Sequence, residues 1–572
     1  MTKKAVFNFL ENHSYKLLVS IFILSLFINN IQAQPQNWVW AKASGGLSND
    51  FPHDVATDSQ GNVFLIGNFT SDSIFFGNTK LLNTSPLSSD IFVVKYNSNG
   101  DVIWAKSFGG AVSDNAHSVC IDTDNNAIIT GLCLSNSIMF GLFTLMGGGG
   151  SPNVFTTKLD PNGNVLWAKS NAFSSNGIGY AVSVDSKNSI YVTGRFDSQS
   201  IIFAPFILQN QGGSDIFIVK YNSLGNVIWA TSFGGAKNDV ALGITSDLNS
   251  NILITGRFDS DSISIGTTTL YNSSGNDDIF VIKLDSNGFP VWSNAFGGNL
   301  WEEGSAITTD INSSIYITGY FGSSNLILGS TTLLNNMNGQ AKIYLAKLSQ
   351  AGNMEWAKTT STATNDFSFD VCTDQHGDVY FTGRFWGNTL VFGSTTIVKT
   401  GIGTDIFLIK TDSEGNDLWG LLLPVGGTDL TKGNDLTLDD VGNIYASGYF
   451  TNANVNLPPF TINKIGASDI FIAKLNSTVG ITIFSINENT KVSVYPNPFN
   501  FETTFYLSPH TLIENVNIEL YNLTGQKVKV YNNIKTLPTS IERNNLSSGM
   551  YLYVVKNNKD FIASGIIVIQ DE

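Results

Sequence analysis

The sequence predicts an all-β chain whose main body is seven repeats of a four-stranded sheet, because three markers run along it in step. Tryptophans Trp40, Trp104, Trp167, Trp229, Trp292, Trp356 and Trp419 are separated by 64, 63, 62, 63, 64 and 63 residues. Glycines of an ITG- or VTG-like motif, Gly67, Gly131, Gly194, Gly256, Gly319, Gly383 and Gly448, keep the same period. Runs such as DIFVVK begin at Asp90, Asp215, Asp278, Asp405 and Asp469, with NVFTTK and KIYLAK in the two remaining units. A period this constant is architecture.

Residues 239–296 show the plan of one unit. DVALGITSD, NILITGRF, DIFVIKLD and FPVWSNAF read as short strands, joined by DLNSN, by DSNGF and by one long connection. Asp, Asn, Ser and Gly fill the short joints because tight reversals need positive φ and side chains that bond their own backbone. Four such strands repeated seven times specify the blades of a β-propeller around a channel. A solenoid would need capping repeats. Here the two ends complement each other instead: residues 38–46, WVWAKASGG, form an outer strand without a unit, and the last unit stops after its third strand, DIFIAKLN. ITIF, Ile481 to Phe484, is a rival for the same place, since Phe484 stands four residues after Gly480 as each Trp stands after its own Gly. The connection after each TGRF-like strand runs about twenty residues and repeats SIxFGxxxLxN, which predicts an extra small hairpin.

The flanks read differently. Lys3, Lys4 and Lys16 precede the apolar run Leu17 to Ile28 and then IQAQ, the pattern of a secretory signal peptide over residues 1–33 with cleavage before Gln34. No later stretch approaches eighteen uninterrupted apolar residues, so no transmembrane segment is expected. A net charge of -15 without a basic stripe argues against nucleic acid as a partner. Of three cysteines, Cys120 and Cys372 share a repeat position that elsewhere holds Ala56, Ser183, Thr245, Thr308 and Thr437, and Cys133 replaces the Phe found in the other units. Three free, buried thiols are expected.

Two resemblances follow from these residues. The recurring DIFxxKxxxxGxxxWAxSFGG and xDxxGNxYxTGxF resemble the seven-bladed propeller (SBBP) repeat of secreted bacterial proteins over roughly residues 38–476. VYPNPF (Val494 to Phe499), IELYNLTGQKV (Ile518 to Val528) and NLSSGMYLYVVKNN (Asn545 to Asn558) resemble the type A sorting domain of the type IX secretion system. That resemblance implies a C-terminal β-sandwich, recognition by the type IX secretion machinery, and an extracellular or outer-surface location; its acidic end, GIIVIQDE, departs from the basic end of many members. The expected organisation is signal peptide 1–33, propeller 34–476, linker 477–489 and sorting domain 490–572, with the protein a monomer.

No GxSxG, HExxH, CxxC, P-loop or GxGxxG pattern is present, so no catalytic residue, metal site or cofactor is assigned. His53 and His117 share one repeat position with Tyr180, Leu242, Ser305, Phe369 and Asn434; a metal pair there would need further ligands, and packed or exposed histidines are the expectation. Asp122, Asp124 and Asn126 mimic the start of a calcium loop, but Cys133 stands at the twelfth position, so a hairpin turn is expected. The propeller's three arginines, Arg195, Arg257 and Arg384, each follow the repeat's Gly and could form an anion-binding ring. Cross-strand pairing with Asp215, Asp278 and Asp405 is the favoured reading, because the two units lacking that Asp also lack the Arg. Trp301, Tyr320, Trp386 and Tyr449 break the local pattern on the face that carries the long connections and the FGG segments, where aromatics suit an unknown glycan or protein ligand as well as packing between loops. The sequence thus favours a binding or adhesion scaffold, with a glycan-acting enzyme of sialidase or lyase type and a structural surface component as alternatives.

Intact-mass analysis of surface material is expected to find a chain starting at Gln34 and lacking residues from about Asn489 onward, the rest staying folded. A sorting region still covalently attached would contradict this reading.

Overall fold

The computed structural model describes residues 38–476 and 491–570, apart from 87, 172–175, 274–275, 338, 363, 400, 402 and 427–434 in the first stretch and 496–498, 509–515, 523–526, 535–538, 545 and 558–559 in the second. The signal-peptide and linker readings, ITIF, PNP, TGQ, Asn434 and His510 lie outside the described residues. The chain divides into two units, Met1–Ser477 and Thr478–Glu572.

The first unit holds seven four-stranded antiparallel sheets. Blade 1 comprises an inner strand Asp50–Thr57, a second strand Val63–Phe69, a third Asp90–Tyr96 and an outer one Val102–Phe108, paired in that order. Blade 4, for example, runs Asp239–Ser246, Ile252–Phe258, Asp278–Leu284 and Pro290–Phe296, close to the strands read from the sequence. In blade 7 the inner, second and third strands are Asp435–Leu438, Ile444–Phe450 and Asp469–Leu475, and its outer strand is Trp38–Ser44, with Ser44 opposite Ile470 and Trp40 opposite Lys474. Each blade's inner strand packs on the next, and that of blade 7 packs on that of blade 1, so the ring closes. Every long connection folds into a two-stranded hairpin, such as Ser262–Ile265 with Thr268–Tyr271.

Second and third strands are buried along almost their whole length, completely so in VFLIGNF and DIFVVKY. Both faces of these strands meet neighbouring blades, which is why they read as unbroken apolar runs. The apolar cores therefore lie between blades: one joins Tyr191, Ile216 and Phe233 of blade 3 to Ile254, Phe258 and Phe280 of blade 4.

The repeated tryptophan ties blades together. Its indole N–H donates to a turn carbonyl of the following blade: Trp104 to Pro161 and Trp40 to Ser98 at 3.0 Å, Trp167 to Ser223, Trp229 to Ser286 and Trp356 to Ser413 at 3.1 Å, and Trp292 to Gln350 at 3.2 Å. The ring lies against the glycine of that same turn. Gly225 has φ +77°, and a Cβ on it would sit 2.7 Å from the Trp167 indole, so both conformation and space demand glycine. Trp419 has no hydrogen-bond partner for its indole N–H among the described residues. The following blade for it is blade 7, whose third and outer strands come from opposite ends of the unit and share no turn.

The other turns of this face carry buried ion pairs, Lys95 with Asp58 at 2.9 Å, Lys158 with Asp122 at 2.6 Å and Lys283 with Asp247 at 2.9 Å. Asp122 also accepts the N–H groups of Asp124 and Asn126 at 3.0 and 2.9 Å, so the calcium-like segment is a hairpin turn held by its own side chain. The cysteines are all free; Cys133 is buried as expected, whereas Cys120 and Cys372 are only partly buried on inner strands.

In the second unit, strands Lys491–Tyr495, Glu502–Ser508 and Thr539–Glu542 form one sheet, and Val516–Tyr521, Lys527–Ile534, Gly549–Asn557 and Asp560–Ile569 another. Phe505 and Ile541 of the first share a core with Ile518, Tyr553 and Ile567 of the second, a small sandwich.

Deleting residues 38–46 is expected to bare the third strand of blade 7, lower the melting temperature and promote association, as seen by calorimetry and light scattering. Trp229→Phe should cost about 1 kcal/mol more than Trp419→Phe, because only the former loses a made hydrogen bond; equal chemical-denaturation midpoints would refute the stitch.

Candidate functional site

The face bearing the long connections is organised by buried carboxylates. In blades 1, 4 and 5 the acid that opens the inner strand gathers the FGG segment and the end of the second strand. Asp50 accepts from Gly46 N–H at 2.7 Å and from the Ser71 hydroxyl at 2.9 Å; Asp239 accepts from Gly235 N–H and the Ser260 hydroxyl, both at 2.8 Å; Glu302 accepts from Gly298 N–H at 3.1 Å and from the Ser323 hydroxyl. Where the third strand opens with an aspartate, that residue holds the loop before it or the FGG segment itself: Asp215 accepts Gln211 N–H at 2.8 Å, Asp278 accepts Ser273 N–H at 2.7 Å and Asp405 accepts Gly426 N–H at 2.7 Å. A Cβ on Gly109, Gly234 or Gly297 would fall 2.0–2.2 Å from Asp90, Asp215 or Asp278, so the first glycine of FGG exists to let the backbone rest on that carboxylate. Burial pushes the acids up, Asp215, Asp239, Asp278 and Asp366 to about 6 and Glu302 to about 7.

These contacts correct the pairing expected for the arginines. Arg195 stands opposite Ile216, one residue out of step with the Phe196–Asp215 pair, and neighbouring side chains on a strand point to opposite faces. Asp215, Asp278 and Asp405 therefore face the loops, and the arginines take other hydrogen-bonding partners, although the Arg384 charge still favours ionised Asp405. Arg195 lies 2.9 Å from the Ser214 hydroxyl and 3.5 Å from Asp197. Arg257 pairs with Asp277 and, through Nε at 3.2 Å, with Glu303 of the next blade. Arg384 is fully buried, its guanidinium 4.0 Å above the Tyr449 ring and donating to the Tyr449 carbonyl at 3.2 Å. Each cation is thus engaged locally within or between blades.

The four singled-out aromatics separate by environment. Trp386 is 44% exposed. Tyr449 is buried between Arg384 and Phe51, whose ring lies 5.0 Å away edge-on. Trp301 rests on Gly322 and meets Tyr320 at 5.9 Å, and Tyr320 meets Phe367 of blade 6 at 4.7 Å. Trp301, Tyr320 and Tyr449 consequently serve packing between loops and blades, while Trp386, with the partly exposed Arg195 and Arg257, offers surface. Glu303, Asp277 and Phe367, which complete this rim, carry no repeat signal in the sequence and were not singled out there.

Below the rim, each described inner strand of blades 1–6 carries a β-bulge, between Pro52 and Asp54, Ala116 and Ser118, Gly179 and Ala181, Ala241 and Gly243, Gly304 and Ala306, and Ser368 and Asp370. The extra residue is His53, His117, Tyr180, Leu242, Ser305 or Phe369, the very repeat position shared by the two histidines, and all six line a cavity of about 430 Å³ in the central channel. A bulge re-aims a side chain without ending the strand. His53 is bonded through Nε2 to Asn68 Oδ1, and His117 Nδ1 lies 2.9 Å from the Gly179 carbonyl. Among the described residues no three His, Cys, Asp or Glu side chains converge to hold a metal ion.

Fold and site together define a closed seven-bladed propeller with one ornamented face, joined in sequence to a small sandwich. Residues 493–570 match the family model described as the secretion system C-terminal sorting domain, which marks the chain for export by the type IX route, secreted or at the cell surface. The chain is similar to an uncharacterized WD repeat-containing protein of Acanthamoeba polyphaga mimivirus, 24% identical over 512 residues covering 73% of this chain and 36% of that protein. It is also similar to the regulatory protein FlaEY of Caulobacter vibrioides, 24% identical over 373 residues covering 59% and 36%. The chain thus spans 36% of the length of each of these relatives. Among solved structures, Sqt1 from Chaetomium thermophilum aligns with a TM-score of 0.36 at 8% identity over 76% of this chain and 85% of its own. A Synechocystis apocarotenoid oxygenase variant aligns at 0.35 and 11% over 79% and 95%.

The buried acids give a pH signature. Their folded values lie above the unfolded ones near 4, so the folded state holds more protons between about pH 4 and 7 and loses stability as pH rises through 6–7. The melting temperature of the propeller is expected to be several degrees higher at pH 5 than at pH 7.5, with Glu302→Gln flattening part of the slope; a melting temperature rising with pH across this window would contradict it.

Proposed function

We propose that the exported chain is a binding or adhesion scaffold whose ligand, a glycan or a protein, is held on the face of the long connections. The observation that carries this reading is where the blades differ. On the opposite face the turns repeat one lattice of Asp, Lys, Trp and Gly contacts. On the ornamented face the residue after the repeat's Gly changes from blade to blade, buried as Asn68, Leu132, Arg384 and Tyr449 and partly exposed as Arg195, Arg257 and Tyr320. A constant frame with one varied surface is how loop-bearing scaffolds present binding residues. The exposed Trp386 and the half-exposed Arg257 with Asp277 are the residues best suited to make contact. In this reading residues 490–572 serve export and 34–476 serve binding.

A glycan array combined with a panel of glycoside substrates tests the proposal and its enzymatic alternative together, since turnover would favour the latter. Trp386→Ala is expected to weaken binding at least tenfold with an unchanged melting curve. Trp301→Ala should lower stability as well, because that ring is packed on Gly322 and Tyr320. Binding that survives Trp386→Ala and Arg257→Ala but is lost on changing Asn99 or Asn162 would place the ligand on the opposite face.

A further inference from the structure

The chamber lined by the bulge residues is a second and chemically different place from the ornamented rim. Its wall is aromatic along one arc. The His53 and His117 rings lie 5.7 Å apart edge-on, and His117 stacks on Tyr180 at 5.6 Å, a continuous run across blades 1, 2 and 3. Phe369 of blade 6 lines the same space, itself stacked on Phe367 at 6.3 Å. Directly after the bulge, the lining residue is Asp54 in blade 1 and Asp370 in blade 6, and Asp435 of blade 7 lines the chamber as well, so the carboxyl groups sit beside the aromatic arc. The lining on the far side is Leu242, Gly243 and Ser305 from blades 4 and 5. All charged side chains among the described lining residues are acids.

The carboxyls are fixed in place. Asp54 accepts Val55 N–H and, across the blade boundary, Val119 N–H, both at 2.7 Å. Asp370 accepts Val371 N–H at 2.8 Å and Leu436 N–H of blade 7 at 3.0 Å. These bonds hold the carboxyl planes at the chamber wall through the backbone of the next blade, so their position does not depend on an occupant. Burial raises both acids, Asp54 to about 7 with the Asp370 charge adding to the effect. Burial lowers His53, keeping its ring neutral and its π face available. A positive guest favours the ionised form of closely spaced carboxyls, and aromatic faces attract the same guest. The volume of about 430 Å³ lies within the range of ~300–1,000 Å³ typical of small-molecule sites.

We propose that this chamber binds a small organic cation, an alkyl- or quaternary ammonium group, held between the His53–His117–Tyr180 arc, Phe369 and the carboxyls of Asp54 and Asp370. The site is independent of the ligand proposed for the ornamented face.

Isothermal titration of the full exported chain with tetramethylammonium and choline, against the neutral choline isostere 3,3-dimethylbutan-1-ol, tests this directly. The cations are expected to bind, with the isostere at least tenfold weaker. Asp370→Asn keeps one of the two acceptors, losing the bond from either Val371 or Leu436, and should weaken choline tenfold or more, whereas Trp386→Ala should leave it unchanged. Leu242→Lys places a tethered ammonium in the chamber from the far side of the ring and should abolish choline binding while the propeller still melts cooperatively, a control that stands even if Asp370→Asn fails to fold. Equal affinity for choline and its isostere, no binding of either cation at 10-millimolar scale, or choline binding that survives Leu242→Lys in a folded protein would each overturn the assignment.

Discussion

The contact on which the ring depends is the one between a tryptophan of one blade and a turn of the next. A buried N–H without a partner costs about as much as several well-packed methylenes, and for every repeated tryptophan but Trp419 the partner is supplied by the neighbour. Blade and turn are therefore mutually required. The indole needs a carbonyl that only the next blade brings, and the turn needs a glycine because the indole occupies the space a side chain would fill. The apolar cores between blades add bulk to this arrangement without direction. The indole bond adds the direction, fixing how far each blade is rotated on the one before.

Because that contact lies on one side of the ring, the other side is released from it. The ornamented face is built on a different device, acids that gather loop N–H groups and serine hydroxyls under the FGG segments. The position after the repeat's Gly varies above this frame, partly exposed in blades 3 to 5 and packed between blades in others, as where Arg384 meets Tyr449. The bulges do the same for the channel, turning one side chain per inner strand into the lumen while the flanking ladder stays in register.

Much of this was legible in the sequence, and the rest was hidden for identifiable reasons. The periodic Trp, Gly and Asp determine strands, turns and ring closure because each answers a local steric or hydrogen-bonding need. The arginine partners were misplaced because covariation between Arg195 and Asp215 reports that both belong to one type of blade, whereas contact depends on which face of the strand each occupies, and they occupy opposite ones. Arg384 and Tyr449 look like surface residues in a list of exceptions, yet they bury each other, a contact between residues 65 apart that no local pattern encodes. The shared position of His53 and His117 was visible, but a column of unlike residues does not reveal a bulge, which is a property of the pairing strand as much as of its own.

The strand Trp38–Ser44 carries a consequence for how the molecule is made. It pairs with Ile470–Leu475, more than four hundred residues later, so synthesis delivers it first and completes its partner last. Until then the growing chain is an open arc with a bare edge at each end, and the contacts that would close it span nearly the whole unit. Contacts this remote are slow to form, since loop closure must be met before any pairing repays it. Blades can assemble one upon another as they emerge, each indole waiting for the next turn, but the circle itself is a single late event. During that interval the arc is the form most exposed to joining with another arc, and the waiting N-terminal strand is what directs it back upon itself.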